Sequence, residues 1–128
     1  MDLQSAVHHK YEKRCKQLKI PAADPAYHPG TEQYRAIVPR RNPAVRGPMF
    51  HWSGDYLVDK LGRQIYGEAA IFKEPWWDSR TAEILNFTDG TRSVLDISDE
   101  LSAEFGPVPP AEIFEYFQLL KKADVASW

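Results

Sequence analysis

The sequence holds a single cysteine, Cys15, among 128 residues. One thiol excludes an internal disulfide framework and any zinc site built from several cysteines, and it is compatible with a reducing compartment. Long apolar runs are missing as well: nothing approaches the ~20 residues of a membrane span. The opening Met1-Asp2-Leu3-Gln4 lacks the basic-then-apolar layout of a secretion signal. A cytoplasmic protein with no membrane segment is the expectation. There is neither a glycine-rich phosphate loop nor a Gly-x-Ser-x-Gly elbow. His8 and His9 are adjacent and would point to different helix faces, while His28 and His51 sit in loop-like sequence without a carboxylate cluster at ligand spacing. No metal site, cofactor or catalytic residue is therefore expected.

What is present is a composition of 43% hydrophobic, 27% charged and 12% aromatic residues, which places the chain among globular proteins. The length fits one domain, or one small domain with an extension, and is too short for two enzyme-sized lobes. Eight of the ten prolines lie between Pro21 and Pro107, and the stretch from Pro21 to Pro48 reads as irregular. The net charge of −2 hides an asymmetry: residues 1–77 hold twelve Lys/Arg against eight Asp/Glu, and residues 78–128 hold four against ten. The halves face different partners, or each other. The expected organisation is an amphipathic arm over residues 1–20, a proline-rich connector over 21–51 and a helical module over 52–128.

Leu3, Val7, Tyr11, Cys15 and Leu18 recur at helical spacing, predicting one apolar stripe on a helix from about Asp2 to Lys19. Cys15 on that stripe reads as a buried, inert thiol, since a nucleophile needs a positioned base. Lys10, Lys13, Arg14, Lys16 and Lys19 cluster toward the helix end, where cations suit the dipole. The plain reading is a helix docked on a neighbouring domain or chain; a nucleic-acid or membrane helix is the alternative. Further on, Ser53 to Gly62 reads as a short helix, with Ser53 as N-cap and Gly62 as a left-handed stop. Gln64 to Phe72 is ambiguous between strand and helix.

Three clearer helical patterns follow. Asp78 can cap a helix running to about Phe87, which Thr88-Asp89-Gly90 ends with a turn. Ser93 and Asp96 form a capping-box pattern ahead of Val94, Ile97, Leu101 and Phe105, and Gly106-Pro107 stops that helix. Pro109-Pro110 suit the start of a third, whose apolar face is Ile113, Phe114, Phe117 and Leu120. Val125 to Trp128 can return as an edge strand. The fold class expected is mainly α: a winged helix-turn-helix-like three-helix module with an N-terminal helical arm and a proline-rich connector.

The run Ile84 to Ile97, containing Asn86-Phe87-Thr88-Asp89-Gly90-Thr91-Arg92-Ser93, followed by Ser102-Ala103-Glu104-Phe105-Gly106-Pro107-Val108 and Phe117 to Ala123, resembles the C-terminal winged-helix segment of bacterial clan MH zinc aminopeptidases. Val38-Pro39-Arg40-Arg41, Arg46-Gly47-Pro48-Met49, Asp55-Tyr56-Leu57 and Leu61-Gly62 are similar to the stretch that joins the two parts of such proteins, so the likeness covers residues 38 to 125. The same order of features is also similar to coenzyme PQQ synthesis protein D and related peptide-recognition domains. The first resemblance implies an accessory domain without the catalytic one, because the histidines and carboxylates of these peptidases come from a large α/β domain that does not fit in this chain. No peptidase residue is carried over, and the chain is not expected to be an enzyme.

DNA binding, the third possibility, is disfavoured because the third helix offers Glu112, Glu115 and Gln118, and the second adds Asp96, Asp99, Glu100 and Glu104. The basic cluster Arg40, Arg41 and Arg46 reads as a solvated loop anchored to acidic surface. Trp76 and Trp77 are expected to close the core of the first module helix, with a partner-facing role as the alternative. The candidates for partner binding are Leu3, Val7, Tyr11, Leu18, Arg40, Arg41, Arg46, Trp52, Trp76 and Trp77. The expected partner is a protein or peptide, with arm exchange between two copies as one route to a homodimer.

Overall fold

The computed structural model describes residues 3–19, 30–46 and 52–128, with residues 3–5, 7, 8 and 52–55 described by backbone alone. The protein is mainly helical. In chain order come α1 (Leu3–Leu18), a 3-10 turn (Glu32–Ala36), strand β1 (Arg40–Arg41), α2 (Trp52–Leu61), α3 (Ile65–Glu68), a second 3-10 turn (Ala70–Lys73), α4 (Trp77–Asn86), α5 (Val94–Phe105), α6 (Pro110–Lys122) and strand β2 (Ala126–Ser127).

Local chemistry accounts for most of these boundaries. Ser93, extended at φ −76° and ψ 165°, accepts a hydrogen bond from the Asp96 N–H, and the Asp96 carboxylate accepts one from the Ser93 N–H, so the capping box at the start of α5 is complete. Gly106, at φ 81°, ends that helix in a conformation that side chains resist. Pro110 opens α6 at a position where its missing N–H leaves nothing unmet. Gly62 stops α2, as its position suggests. The ambiguous stretch after it resolves into two short helical turns, α3 and the second 3-10 turn, and not into a strand.

Two expected caps are corrected. Helix α2 already includes Trp52 and Ser53, so Ser53 lies inside the helix and does not precede it. Helix α4 is capped by Trp76 in a left-handed conformation with no side-chain hydrogen bond, and Asp78 falls in its first turn. There the carboxylate still complements the helix dipole.

The core lies where α4, α5 and α6 meet. Ile84, Val94, Ile97, Leu101, Ile113, Phe117 and Leu120 are fully buried, joined by Leu57 of α2, Ile65 of α3, Ile71 of the 3-10 turn and Val125. Phe105 and Phe114, assigned to the same faces, are only partly buried at its margin. Tyr116, which the apolar-face pattern of α6 does not include, is fully buried too.

The sheet is small: Arg40 pairs with Ser127 and Arg41 with Ala126, antiparallel. An isolated bridge joins Arg40 to Asp89 on the other side. Cys15 is buried, as its stripe position implies. Tyr11 and Leu18 on the same helix are 42% and 55% exposed. The side chains of Leu3, Val7 and Trp52 lie outside the described residues, as do Pro21 to Pro29, Pro48, His28 and His51.

Candidate functional site

Residues 37–42 run as a strap across one end of the helical module. The Val94 N–H donates to the Ile37 carbonyl at 2.8 Å and the Gly90 N–H to the Pro39 carbonyl at 3.1 Å. On the strap's other side the Asn42 N–H donates to the Val125 carbonyl at 2.8 Å, and the Asn42 side-chain amide to the Asp124 carbonyl at 2.8 Å. Gly90, at φ 79°, takes a backbone conformation that side chains resist, and its Cα lies so close to Arg40 that a Cβ would push the arginine side chain aside. The turn is set by Asp89, whose carboxylate accepts from the Thr91 N–H, the Thr91 hydroxyl and the Arg92 N–H. Those bonds, led by the Arg92 and Thr91 N–H groups, hold the Asp89 carboxyl well below the usual carboxylate range. The basic cluster is thus corrected: Arg40 and Arg41 are strand residues, Arg40 lying against the glycine turn, and Arg46 donates to the Pro43 carbonyl.

The outer side of α6 is covered by the chain before α4. The Ala70 N–H donates to Glu115 Oε2 at 3.0 Å, and Lys122 pairs with Glu68 at 3.4 Å. Of the three side chains expected to face solvent on this helix, Gln118 does, Glu115 is engaged with Ala70, and Glu112 is half-buried with its Oε2 sealed from water and unpartnered. Burial first, then the Glu74 and Glu115 carboxylates, push the Glu112 carboxyl up, against an opposing pull from Arg80. Arg80 is the charged residue beneath this face, 7% exposed, 3.7 Å from Glu74 and 3.4 Å from the Phe105 carbonyl, with its Nε unpartnered. Sequence periodicity gave no hint of it, because Arg80 sits on the buried side of α4 where an apolar residue would be expected.

Trp76 and Trp77 separate sharply. Trp77 is half-buried in an edge-to-face aromatic group, its ring centroid 5.9 Å from Tyr66 and 5.4 Å from Phe72, and Phe72 reaches Tyr116 at 5.8 Å. Trp76 is 73% exposed, so the expectation that it closes the core is corrected. Its φ of 61° puts a Cβ where glycine or asparagine is preferred, at a cost of about 1–2 kcal/mol. A second aromatic group lies by the sheet: Trp128 packs edge-on to Phe114 and Phe117, with the Lys121 ammonium 4.1 Å above its ring, and Phe114 reaches Tyr34.

Acidic side chains crowd the exposed face of α5. Asp99 is pushed up by burial and by Asp96 and Glu100, with Arg35 opposing. Among the described residues, no group of three or more His, Cys, Asp or Glu converges as a metal site, and no helix is long and apolar enough to cross a membrane.

No protein-family model matches this chain, and neither a curated protein nor a solved structure shows significant similarity to it.

Proposed function

We propose that this chain is a non-catalytic association module built on a winged-helix plan, similar to the C-terminal accessory part of zinc aminopeptidase-like proteins. Helices α4, α5 and α6 supply the three-helix portion, and the backbone order Asp89, β1, β2 supplies the sheet. In a winged helix a hairpin after the third helix normally provides the two added strands. Here one of the two comes from residues 40–41, upstream of every module helix. That observation carries the reading: a domain whose sheet is completed by its own upstream chain is fastened to whatever that chain leads to.

Two observations weigh against reading DNA. The third helix, which would have to enter a major groove, has the second 3-10 turn hydrogen-bonded to its Glu115, and its exposed cations, Lys121 and Lys122, stand only in its last turn. The neighbouring α5 presents carboxylates, which repel phosphate. A second reading, recognition of a peptide as an added strand in the manner of coenzyme PQQ synthesis protein D, draws support from β2, which among the described residues pairs on one side only.

The test is to mix the purified chain with the zinc aminopeptidase-like catalytic domain encoded upstream of it or beside it, and to follow co-migration on gel filtration. Expected are a stable complex and no aminoacyl hydrolysis or stoichiometric zinc in this chain alone. Zinc-dependent hydrolysis by the isolated chain, or tight binding to duplex DNA at physiological salt, would overturn the proposal. Leader-peptide titration that shifts Ala126 to Trp128 backbone resonances would favour the second reading.

A further inference from the structure

We propose that the groove between the turn at Asp89 and Gly90 and strand β2 is a binding site for an extended, basic, proline-containing segment of a partner protein, and that residues 31–46 of this chain occupy it from within. The proposal does not depend on a peptidase partner. It also differs from the leader-peptide reading, because it uses the side of β2 that is already paired.

The first support is the way the strap is held. The Ile37 and Pro39 carbonyls accept from the Val94 and Gly90 N–H groups, Arg40 and Arg41 pair with Ser127 and Ala126, and the Asn42 N–H donates to the Val125 carbonyl. All of this is backbone pairing, which any extended chain can make. One side chain adds to it, the Asn42 amide, which donates to the Asp124 carbonyl. The second support is that the strap leans on the core without building it. The connected core runs from Leu57 to Ala126, and Tyr34, Ile37 and Val45 pack against it only partly buried. Pro39 is the one buried residue among 31–46. A segment with so few buried apolar groups belongs to the part of a fold that opens locally, and here it has the form of a bound ligand.

Charge and spacing define the occupant. Residues 31–46 hold four Arg against one Glu, a charge of +3, while residues 78–128, which supply the groove, hold four Lys/Arg against ten Asp/Glu, a charge of −6. Arg35 lies within electrostatic reach of Asp96 and Asp99 on α5, and the Tyr34 ring lies 5.7 Å from that of Phe114. The groove therefore reads an aromatic residue followed by a cation, then an apolar residue, a proline and an asparagine at the spacing of positions 34, 35, 37, 39 and 42. A second copy offers only this same segment, already seated in its own groove, so exchange between copies gains no contact and still costs the freedom lost on association. A partner's segment has something to gain wherever the strap is drawn away by the chain it leads to.

The probe is a fluorescein-labelled peptide with the sequence of residues 31–46, titrated into the full chain and followed by anisotropy. A tethered strap competes at an effective concentration on the order of millimolar, so the wild-type chain should bind the peptide weakly. Asn42→Ala or Tyr34→Ala in the chain loosens the strap and should tighten peptide binding about fivefold, the worth of one such bond or ring contact. The same substitutions made in the peptide should weaken its binding to those chains by a similar factor. General loss of stability does not produce opposite signs for one substitution. Hydrogen exchange at Gly90 and Val94 should quicken in the Asn42→Ala chain and slow again when peptide is added, and binding should weaken as salt rises. No binding to either loosened chain, a peptide indifferent to its own substitutions, or protection gained elsewhere than at Gly90 and Val94 would overturn the proposal. Sedimentation equilibrium should give 14.7 kDa at every concentration; a mass of twice that value, lost on Asn42→Ala, would assign the groove to the strap of a second copy and overturn the external partner.

Discussion

Glu115 on α6 accepts a hydrogen bond at 3.0 Å from the backbone N–H of Ala70, 45 residues earlier in the chain. A carboxylate on what would be the recognition helix of a DNA reader is thereby committed to holding a 3-10 turn. Glu115→Ala strands a part-buried N–H and should cost about 1–3 kcal/mol, whereas Glu115→Gln keeps an acceptor and should lose less. Urea unfolding of both variants, with hydrogen exchange at Ala70, distinguishes the two outcomes.

The capping box at Ser93 should be worth about 1 kcal/mol, read as the loss on Ser93→Ala. Its acid half has a defined pH response. The Ser93 N–H and hydroxyl bonds, opposed by burial, lower the Asp96 carboxyl below its ordinary value. The folded state therefore favours the ionised form, and the contribution is complete at neutral pH. It should fade as pH falls from the ordinary aspartate value of about 4 through the lowered folded value. A pH series of urea midpoints should show a shallower acid decline in Asp96→Asn.

Glu112 should behave oppositely. Its carboxyl is raised, chiefly by burial, so the folded state favours the protonated form and stability declines as pH rises from the ordinary glutamate range through the folded value. Glu112→Gln should flatten that decline and leave stability at pH 7 unchanged or higher. A clear loss at neutral pH would mean that the ionised carboxylate is needed, as a partner for Arg80.

Phe117, fully buried on α6 and edge-on to Trp128, tests the core. Phe117→Ala should cost about 3–5 kcal/mol by thermal or chemical unfolding. A loss under about 1 kcal/mol would be incompatible with its place in the core.

The module helices were legible because their signals are local: serine before an acid at the right spacing, glycine and proline as punctuation, and apolar residues every three or four positions. The residues at α5 and α6 that periodicity assigned to the core all pack there, apart from the marginal Phe105 and Phe114, while the buried Tyr116 and Leu119 fall outside that pattern. What stayed hidden depends on distant parts of the chain meeting. Nothing around Asn42 announces that it will bond the turn after α6, 82 residues away. A proline-rich text reads as connector whether or not its backbone is later recruited into a sheet. Arg80 was illegible for a related reason, since a buried cation needs Glu74 and the Phe105 carbonyl brought to it by other elements. The two tryptophans could not be told apart because their difference lies in one backbone angle, which puts one ring in the core margin and its neighbour in water.

The antiparallel pairing of β1 with β2 has a mechanical consequence. Arg40, the upstream end of β1, lies opposite Ser127, the downstream end of β2. Tension applied between the preceding chain and the C-terminal end first meets the bonds at the Ile37 and Pro39 carbonyls, and once these yield it loads the ladder at one end, so that its bonds give way in succession, Arg40 with Ser127 first and Asn42 with Val125 later. Peeling of this kind takes less force than shearing all the bonds together. Tugging on an attached neighbour should unzip the strap while the helices stay folded, and the same strap can close again when the pull is released.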